Sequence, residues 1–200
     1  MEADKLDITG VPVSGDPNTA PVLVTYASAA GSTKSVAEAI AAELNVYLRD
    51  KHRVDCLEIS SVQWPGNYHA VILGSAIHNQ SWLSPATKFV RKNSGKLYQM
   101  PFYAFSVGAP AAMPGWTRRM GILTAEKEKK EIRQKIAELV GRDVQHELFN
   151  GVTSRASIGR LSGWCFTCFG YRFGDYRDFT AIKAYAKEIV DDLDRRGIHC

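Results

Sequence analysis

A chain of 200 residues, 45% hydrophobic and 23% charged, has the size and make-up of one globular domain around a single core, and two full domains would be cramped. Its formal net charge of +4 leans mildly toward anionic partners, but no Lys/Arg block interleaved with aromatics occurs, which speaks against nucleic-acid binding. No apolar run approaches the ~18–20 residues of a membrane span, and four cysteines are too few for a disulfide scaffold.

Residues 1–20 hold Gly10, Pro12, Gly15 and Pro17 without periodicity, the composition of a flexible leader. The opening Met1-Glu2-Ala3-Asp4-Lys5 has neither the basic nor the apolar character of a secretory signal, so a cytoplasmic location is expected. One domain is expected over residues 21–196. Val22-Leu23-Val24-Thr25-Tyr26 reads as a strand buried on both faces. After the turn Ser28–Ser32, the residues Val36, Ala37, Ile40, Leu44 and Tyr47 or Leu48 recur at helical spacing. Asp50-Lys51-His52 breaks that helix, and Val54–Ile59 alternates like a second strand.

Ala70–Ser75 is the third strand, after the turn Pro65-Gly66-Asn67. Ser84-Pro85 predicts an N-cap and a first-turn proline, opening a helix through Phe89 and Val90 toward Asn93. Pro101–Val107 is the fourth strand. A loop with Pro110, Pro114 and Gly115 leads to a helix over 124–140, where Glu126–Lys130 and Glu131–Lys135 stand at i,i+4 spacing. Gln145–Asn150 is the fifth strand. The last helix starts near Asp178 and buries Ile182, Tyr185, Ile189 and Leu193. Strands alternating with helices specify a parallel sheet covered on both faces, with ligands at the carboxyl ends of its strands.

The loop Ser28-Ala29-Ala30-Gly31-Ser32-Thr33 joins a buried strand directly to a helix N-terminus. Small residues let its backbone approach an anion closely. The first-turn N–H groups and the helix dipole favour negative charge, and the hydroxyls of Ser28, Ser32 and Thr33 add neutral donors. The lysine of a P-loop is missing, which suits a phosphate monoester that is bound and kept. The competing reading is a plain serine-rich turn capped by Ser32 or Thr33.

The stretch Val22–Leu44 resembles the opening of the flavodoxin family, whose phosphate loop reads Ser/Thr-x-Thr-Gly-x-Thr. Ser28, Gly31 and Thr33 match that pattern; Ala30 departs from it. Leu73–His78, Phe105–Gly108, Leu148–Gly151 and Gly174–Phe179 are similar, in order and spacing, to the branch containing menaquinone-dependent protoporphyrinogen dehydrogenase. The resemblance implies a flavodoxin-like, doubly wound, five-stranded parallel sheet of order 2-1-3-4-5. It also implies flavin mononucleotide (FMN) as cofactor. The loop Ser75-Ala76-Ile77-His78-Asn79-Gln80-Ser81-Trp82 would then lie along the flavin ring, and Ser106-Val107-Gly108-Ala109 would form a third wall. Trp82 is either a stacking partner or an anchor for its loop. His78 is the candidate proton donor beside the flavin, weighed against a plain surface histidine.

Cys165-Phe166-Thr167-Cys168 lacks the second pair that a zinc site needs, so no metal is expected. It sits among Trp164, Phe169, Tyr171 and Phe173, within a segment over 152–177 too long for an ordinary connection. That composition favours an inert cysteine pair in an aromatic insert over a redox dithiol. The insert suits a lid, a groove for a flat substrate or a subunit contact.

The reading that follows is an FMN-dependent oxidoreductase for an aromatic, quinone-like or porphyrinogen-like substrate. A redox partner protein and a homo-oligomer stay open as partners. Two rivals stand beside it: a non-catalytic electron-transfer flavodoxin, and a flavodoxin fold that has lost FMN and serves as an interaction module.

Overall fold

Strand β1 (Val22–Ala27) is buried at all six positions, as its unbroken run of apolar and branched side chains demands of a strand covered on both faces. The computed structural model describes residues 21–48, 52–62, 65–108, 118–153 and 174–197. The leader over 1–20, Ala109 and the Cys165/Cys168 pair with its aromatic neighbours lie outside the described residues. With β2 (Val54–Glu58), β3 (Ala70–His78), β5 (Phe102–Gly108) and β6 (Gln145–Asn150), β1 forms a parallel sheet of order β2-β1-β3-β5-β6. Counted along its five long strands, this is the expected order 2-1-3-4-5. A two-residue strand, β4 (Ser81–Trp82), pairs antiparallel with the end of β3. A separate ribbon joins β7 (Val152–Thr153) to β8 (Gly174–Asp175).

Helices α1 (Ser32–Leu48) and α4 (Phe179–Arg195) share a core with Val22, Val24, Tyr26, Ile72, Tyr103 and Phe105 on one sheet face. Helices α2 (Ser84–Gln99) and α3 (Arg118–Val140) pack with Leu23, Ala27, Leu73 and Ala104 on the other. The side-chain alternation of each strand thus feeds two separate cores. On α1, Val36, Ala37, Ile40, Leu44 and Leu48 are fully buried, while Tyr47 is exposed. Asp178 caps α4 by accepting from the N–H groups of Thr180 (2.9 Å) and Ala181 (3.1 Å). Tyr185 of that helix donates to the carbonyl of Ala104 at 2.8 Å, which satisfies a hydroxyl in the middle of the core.

Three local expectations need correction. The N-cap of α2 is Leu83, so Ser84 and Pro85 are its first two residues. The Leu83 N–H is held instead by Ser75 Oγ at 3.0 Å, a tertiary bond that fixes the helix entrance where a local cap was expected. Helix α3 begins at Arg118 rather than near 124. The i,i+4 ion pair seen on it is Lys127–Glu131, in place of the expected Glu126–Lys130 and Glu131–Lys135. Lys129 and Arg133 reach across to Glu147 and Asp143 at the β6 end of the sheet. Among the described residues, no helix is long and apolar enough to cross a membrane.

Candidate functional site

The carboxyl ends of β1, β3 and β5 stand side by side, with Ala27 opposite Ser75 and Ser75 opposite Ser106. From β1 the chain winds to β2 on one side, and β3 returns on the other. In doubly wound sheets, ligands bind at the strand ends where the winding reverses in this way. Every sequence-predicted site residue within the described part of the chain lies on this edge.

The first wall is the turn into α1. The Ser28 hydroxyl accepts from the Gly31 N–H at 2.9 Å, closing the turn. Gly31 takes φ +88°, a left-handed conformation costly for any residue with a β-carbon. Ala29, Ala30 and Gly31 are exposed. No acidic residue lies in the first turn of α1, leaving its unpaired N–H groups and dipole without a competing carboxylate. The three hydroxyls of the loop have different fates. Ser28 closes the turn, and Ser32 Oγ accepts from the Val152 N–H at 3.1 Å. Thr33 is 1% exposed, and its hydroxyl has no partner. An unmet buried hydroxyl costs ~1–3 kcal/mol, and here it stands at an anion-attracting helix end.

The second wall, expected as a plain loop, is a β-hairpin. Ile77 pairs with Trp82 and His78 with Ser81. Asn79 and Gln80 form its two-residue turn at φ 50° and 56°, the paired positive angles of a type I′ turn. Ser75 Oγ clamps the base, donating to the Ala76 carbonyl at 2.9 Å and accepting from Leu83. His78 and Asn79 are exposed near the tip, with Ala76 and Ile77 half-buried. Trp82 is buried, and its indole N–H donates to Ser106 Oγ at 2.7 Å. That arrangement is the anchoring one of the two readings open for this residue.

Ser106 stands in turn 2.8 Å from His146 Nε2. Burial first, and then Lys129 and Arg133, push the His146 pKa down to about 3, so the ring is neutral across the physiological range. Its Nδ1 has no partner. The sequence carried no signal for His146 beyond its place in a strand.

The third wall is the end of β5, with Val107 buried and Gly108 half-buried. The Gly151 N–H donates to the Gly108 carbonyl at 2.7 Å. A β-carbon on Gly151 would meet Val107 Cγ1 at 2.8 Å and Ser32 Cβ at 3.3 Å, so the end of β5, the phosphate-type loop and the exit of β6 converge at one glycine. From there the β7–β8 ribbon runs beside α1. Arg177, just past β8, donates through Nη1 to Ser35 Oγ at 2.8 Å. Gly151 and Ser35 are residues that sequence reasoning did not bring to this edge, and His146, opposite Ala104 in β6, stands just beneath it. Val152, Asp175 and Arg177 belong to the segment over 152–177 expected as a lid, groove or contact.

The model of the family described as "Flavodoxin domain" matches residues 23–158 of this chain. No curated protein matches. Among solved structures, a flavodoxin from the domain Archaea is similar at 17% identity and TM-score 0.50, covering 87% of this chain and 99% of its own. A short-chain flavodoxin associated with a non-canonical PDU bacterial microcompartment reaches TM-score 0.53 at 11% identity, over 87% and 98%. Rubredoxin oxygen:oxidoreductase from the anaerobe Desulfovibrio gigas gives 0.51 at 15% identity, covering 88% of this chain but 37% of that one. These likenesses concern the fold. With the matched family model spanning more than half of its length, this chain belongs to the flavodoxin-domain family.

Proposed function

We propose that this protein holds FMN across the carboxyl ends of β1, β3 and β5, and uses it to pass electrons between a donor and an aromatic, quinone-like or porphyrinogen-like substrate. The observation that carries the reading is the entrance to α1. A left-handed Gly31 precedes a first turn free of acids, and the buried Thr33 hydroxyl there lacks a partner. These features fit a phosphate monoester: N–H donors, one hydroxyl in want of an acceptor, and no carboxylate within the first turn of the helix itself. Ala30 withdraws one hydroxyl from the family pattern, and Thr33 retains another.

Bound there, FMN supplies reversible electron uptake at its ring. The backbone of Ser28, Ala29, Ala30, Gly31, Ser32 and Thr33 binds the phosphate end. Ser75, Ala76, Ile77, His78 and Asn79 would line one side of the ring, and Ser106, Val107 and Gly108 the other. Trp82 holds the hairpin from beneath, and His78, exposed near its tip, would be the residue to carry a proton toward a bound ring. The aromatic insert over 152–177 supplies the surface for a flat substrate.

The test is a titration of the full chain with FMN and with riboflavin, followed by flavin fluorescence. Each lost charge-assisted bond is worth ~1.5–3 kcal/mol, so losing several predicts at least about a hundredfold weaker binding of riboflavin. Equal affinities overturn the assignment. No uptake of either flavin favours an interaction module instead.

A protein-to-protein electron shuttle is the second reading, and helix α2 favours it. That helix exposes Lys88, Arg91, Lys92 and Lys96 and carries no acidic residue, a face that suits an acidic redox partner. Quinone reduction by the reduced protein separates the two. A rate that saturates with quinone marks a substrate site, and a strictly linear rate marks a shuttle.

A further inference from the structure

We propose that Asp175 and Arg177 are positioning residues that hold the first turn of α1 in its phosphate-receiving shape, by closing a ring of contacts through Ser35, Ser32 and Val152. The proposal rests on the FMN reading above. The Arg177 Nη1 donates to Ser35 Oγ at 2.8 Å, and Ser35 Oγ donates to the Ser32 carbonyl at 2.8 Å. Ser32 Oγ accepts from the Val152 N–H at 3.1 Å. Val152 stands opposite Asp175 in the ribbon. Asp175 Oδ1 accepts from Arg177 Nε at 2.8 Å and from its backbone N–H at 3.1 Å, while Oδ2 accepts from Nη2. The circuit therefore runs from helix to ribbon and back without passing through the sheet.

Each hydrogen bond of the circuit joins a donor to an acceptor without conflict. Ser35 has one proton, which goes to Ser32, and its oxygen receives Arg177. The guanidinium has no free arm: Nε and Nη2 serve Asp175, Nη1 serves Ser35, and its central carbon lies 5.2 Å from the Phe179 ring centre. Arg177 is thus a strut and not a loose cation. Its bonds draw the Asp175 carboxyl down to about 2, which keeps the pair ionised across the working pH range.

The need for such a strut follows from the loop it supports. Ala29, Ala30 and Gly31 are exposed, and the turn's own closure is the local Ser28–Gly31 bond. N–H groups that must converge on a phosphate work best when held before the ligand arrives. Fixing Ser32 by its side chain, and its carbonyl through Ser35, orders the residue at which turn becomes helix.

The sign of one substitution separates a strut from a free charge. If Arg177 acted only as a cation near the phosphate, Asp175→Asn would remove an opposing charge and tighten FMN binding. As a strut, Arg177 needs Asp175, and the same change weakens it. The experiment titrates the full chain, wild type and Asp175→Asn, Arg177→Lys and Ser35→Ala, with FMN and riboflavin, while circular dichroism monitors the fold. Asp175→Asn and Arg177→Lys are each expected to weaken FMN by about tenfold, the worth of one charge-assisted bond, and to leave riboflavin within about twofold. Ser35→Ala, which spares the ion pair, loses FMN affinity in the same direction. Tighter or unchanged FMN binding in Asp175→Asn overturns the proposal, as does an equal loss for both flavins. A wild type that does not prefer FMN to riboflavin removes the reading beneath it, and is seen before any variant is made.

Discussion

At Gly31 the backbone holds φ +88°, yet a β-carbon there would meet nothing within 4 Å. The constraint is conformational and not steric. A left-handed angle costs an ordinary residue ~1–2 kcal/mol, which a domain of this size survives. Gly31→Ala is therefore expected to fold, to lose about that much stability, and to lose FMN affinity as the turn relaxes toward a right-handed angle. Gly31→Val should abolish FMN uptake with its α/β circular dichroism intact, and retained uptake would place the phosphate elsewhere. Gly151 is the opposite case. Its φ is ordinary, and crowding from Val107 and the Gly108 carbonyl (3.3 Å) excludes a side chain. Sequence alone separates the two poorly, because a glycine reads the same whether it is there for its angle or for its lack of bulk. Gly31 was legible through its place between a strand and a helix, and Gly151 had no such context.

At the level of elements, legibility followed length and period. The helix α1 stripe ending at Leu48 and the α4 stripe from Ile182 to Leu193 were readable because helical spacing repeats over several turns. The β3–β4 hairpin was not, because Asn79-Gln80 lacks the glycine that usually marks a type I′ turn. Two-residue strands such as β7 and β8 are too short to show any alternation. The start of α2 was misplaced by one residue because a serine on a neighbouring strand, and not a local cap, binds its entrance.

Beneath the hairpin, the contacts from Trp82 through Ser106 to His146 tie β4 to β5 and β6, and their cost is set by pH. His146 has a native pKa of about 3 against 6.5 for the free side chain. Between those values the unfolded chain takes up a proton that the native state refuses. Stability is thus full above pH ~6.5 and falls as pH drops toward ~3, by up to ~1.4 kcal/mol per pH unit. His146→Gln is expected to show a shallower fall in urea midpoint between about pH 6 and about pH 4. His69, also lowered by burial and by His52, contributes with the same sign in both proteins and cancels in the comparison. Parallel slopes would show that His146 titrates normally.

Across the whole molecule the two sheet faces differ in charge. On one side α2 carries four basic residues and no acid, and α3 seven basic and four acidic. On the other, α1 carries one basic and two acidic residues, and α4 three and four. Such a molecule orients in the field of a charged partner, and its association rate falls as salt rises. None of this polarity was visible in a net charge of +4, because assigning helices to faces requires the strand order.

The β7–β8 ribbon also determines how the chain can be edited. Thr153 pairs with Gly174, and Val152 with Asp175, so the two ends of the connection over 154–173 are held side by side. Joining Thr153 to Gly174 by an Asn-Gly turn keeps the last ribbon pair in register. The shorter connection lowers the entropy of loop closure by about 2 kcal/mol, at ~0.6 kcal/mol per halving of length. The shortened chain is expected to fold at least as stably and to keep its preference for FMN over riboflavin. Its quinone reduction should change from saturating to linear. Saturation retained would exclude the excised residues from substrate binding. A linear rate makes the flavin-holding frame and the substrate-choosing part separable cassettes, so that the second can be exchanged for another specificity while the first is left as it stands.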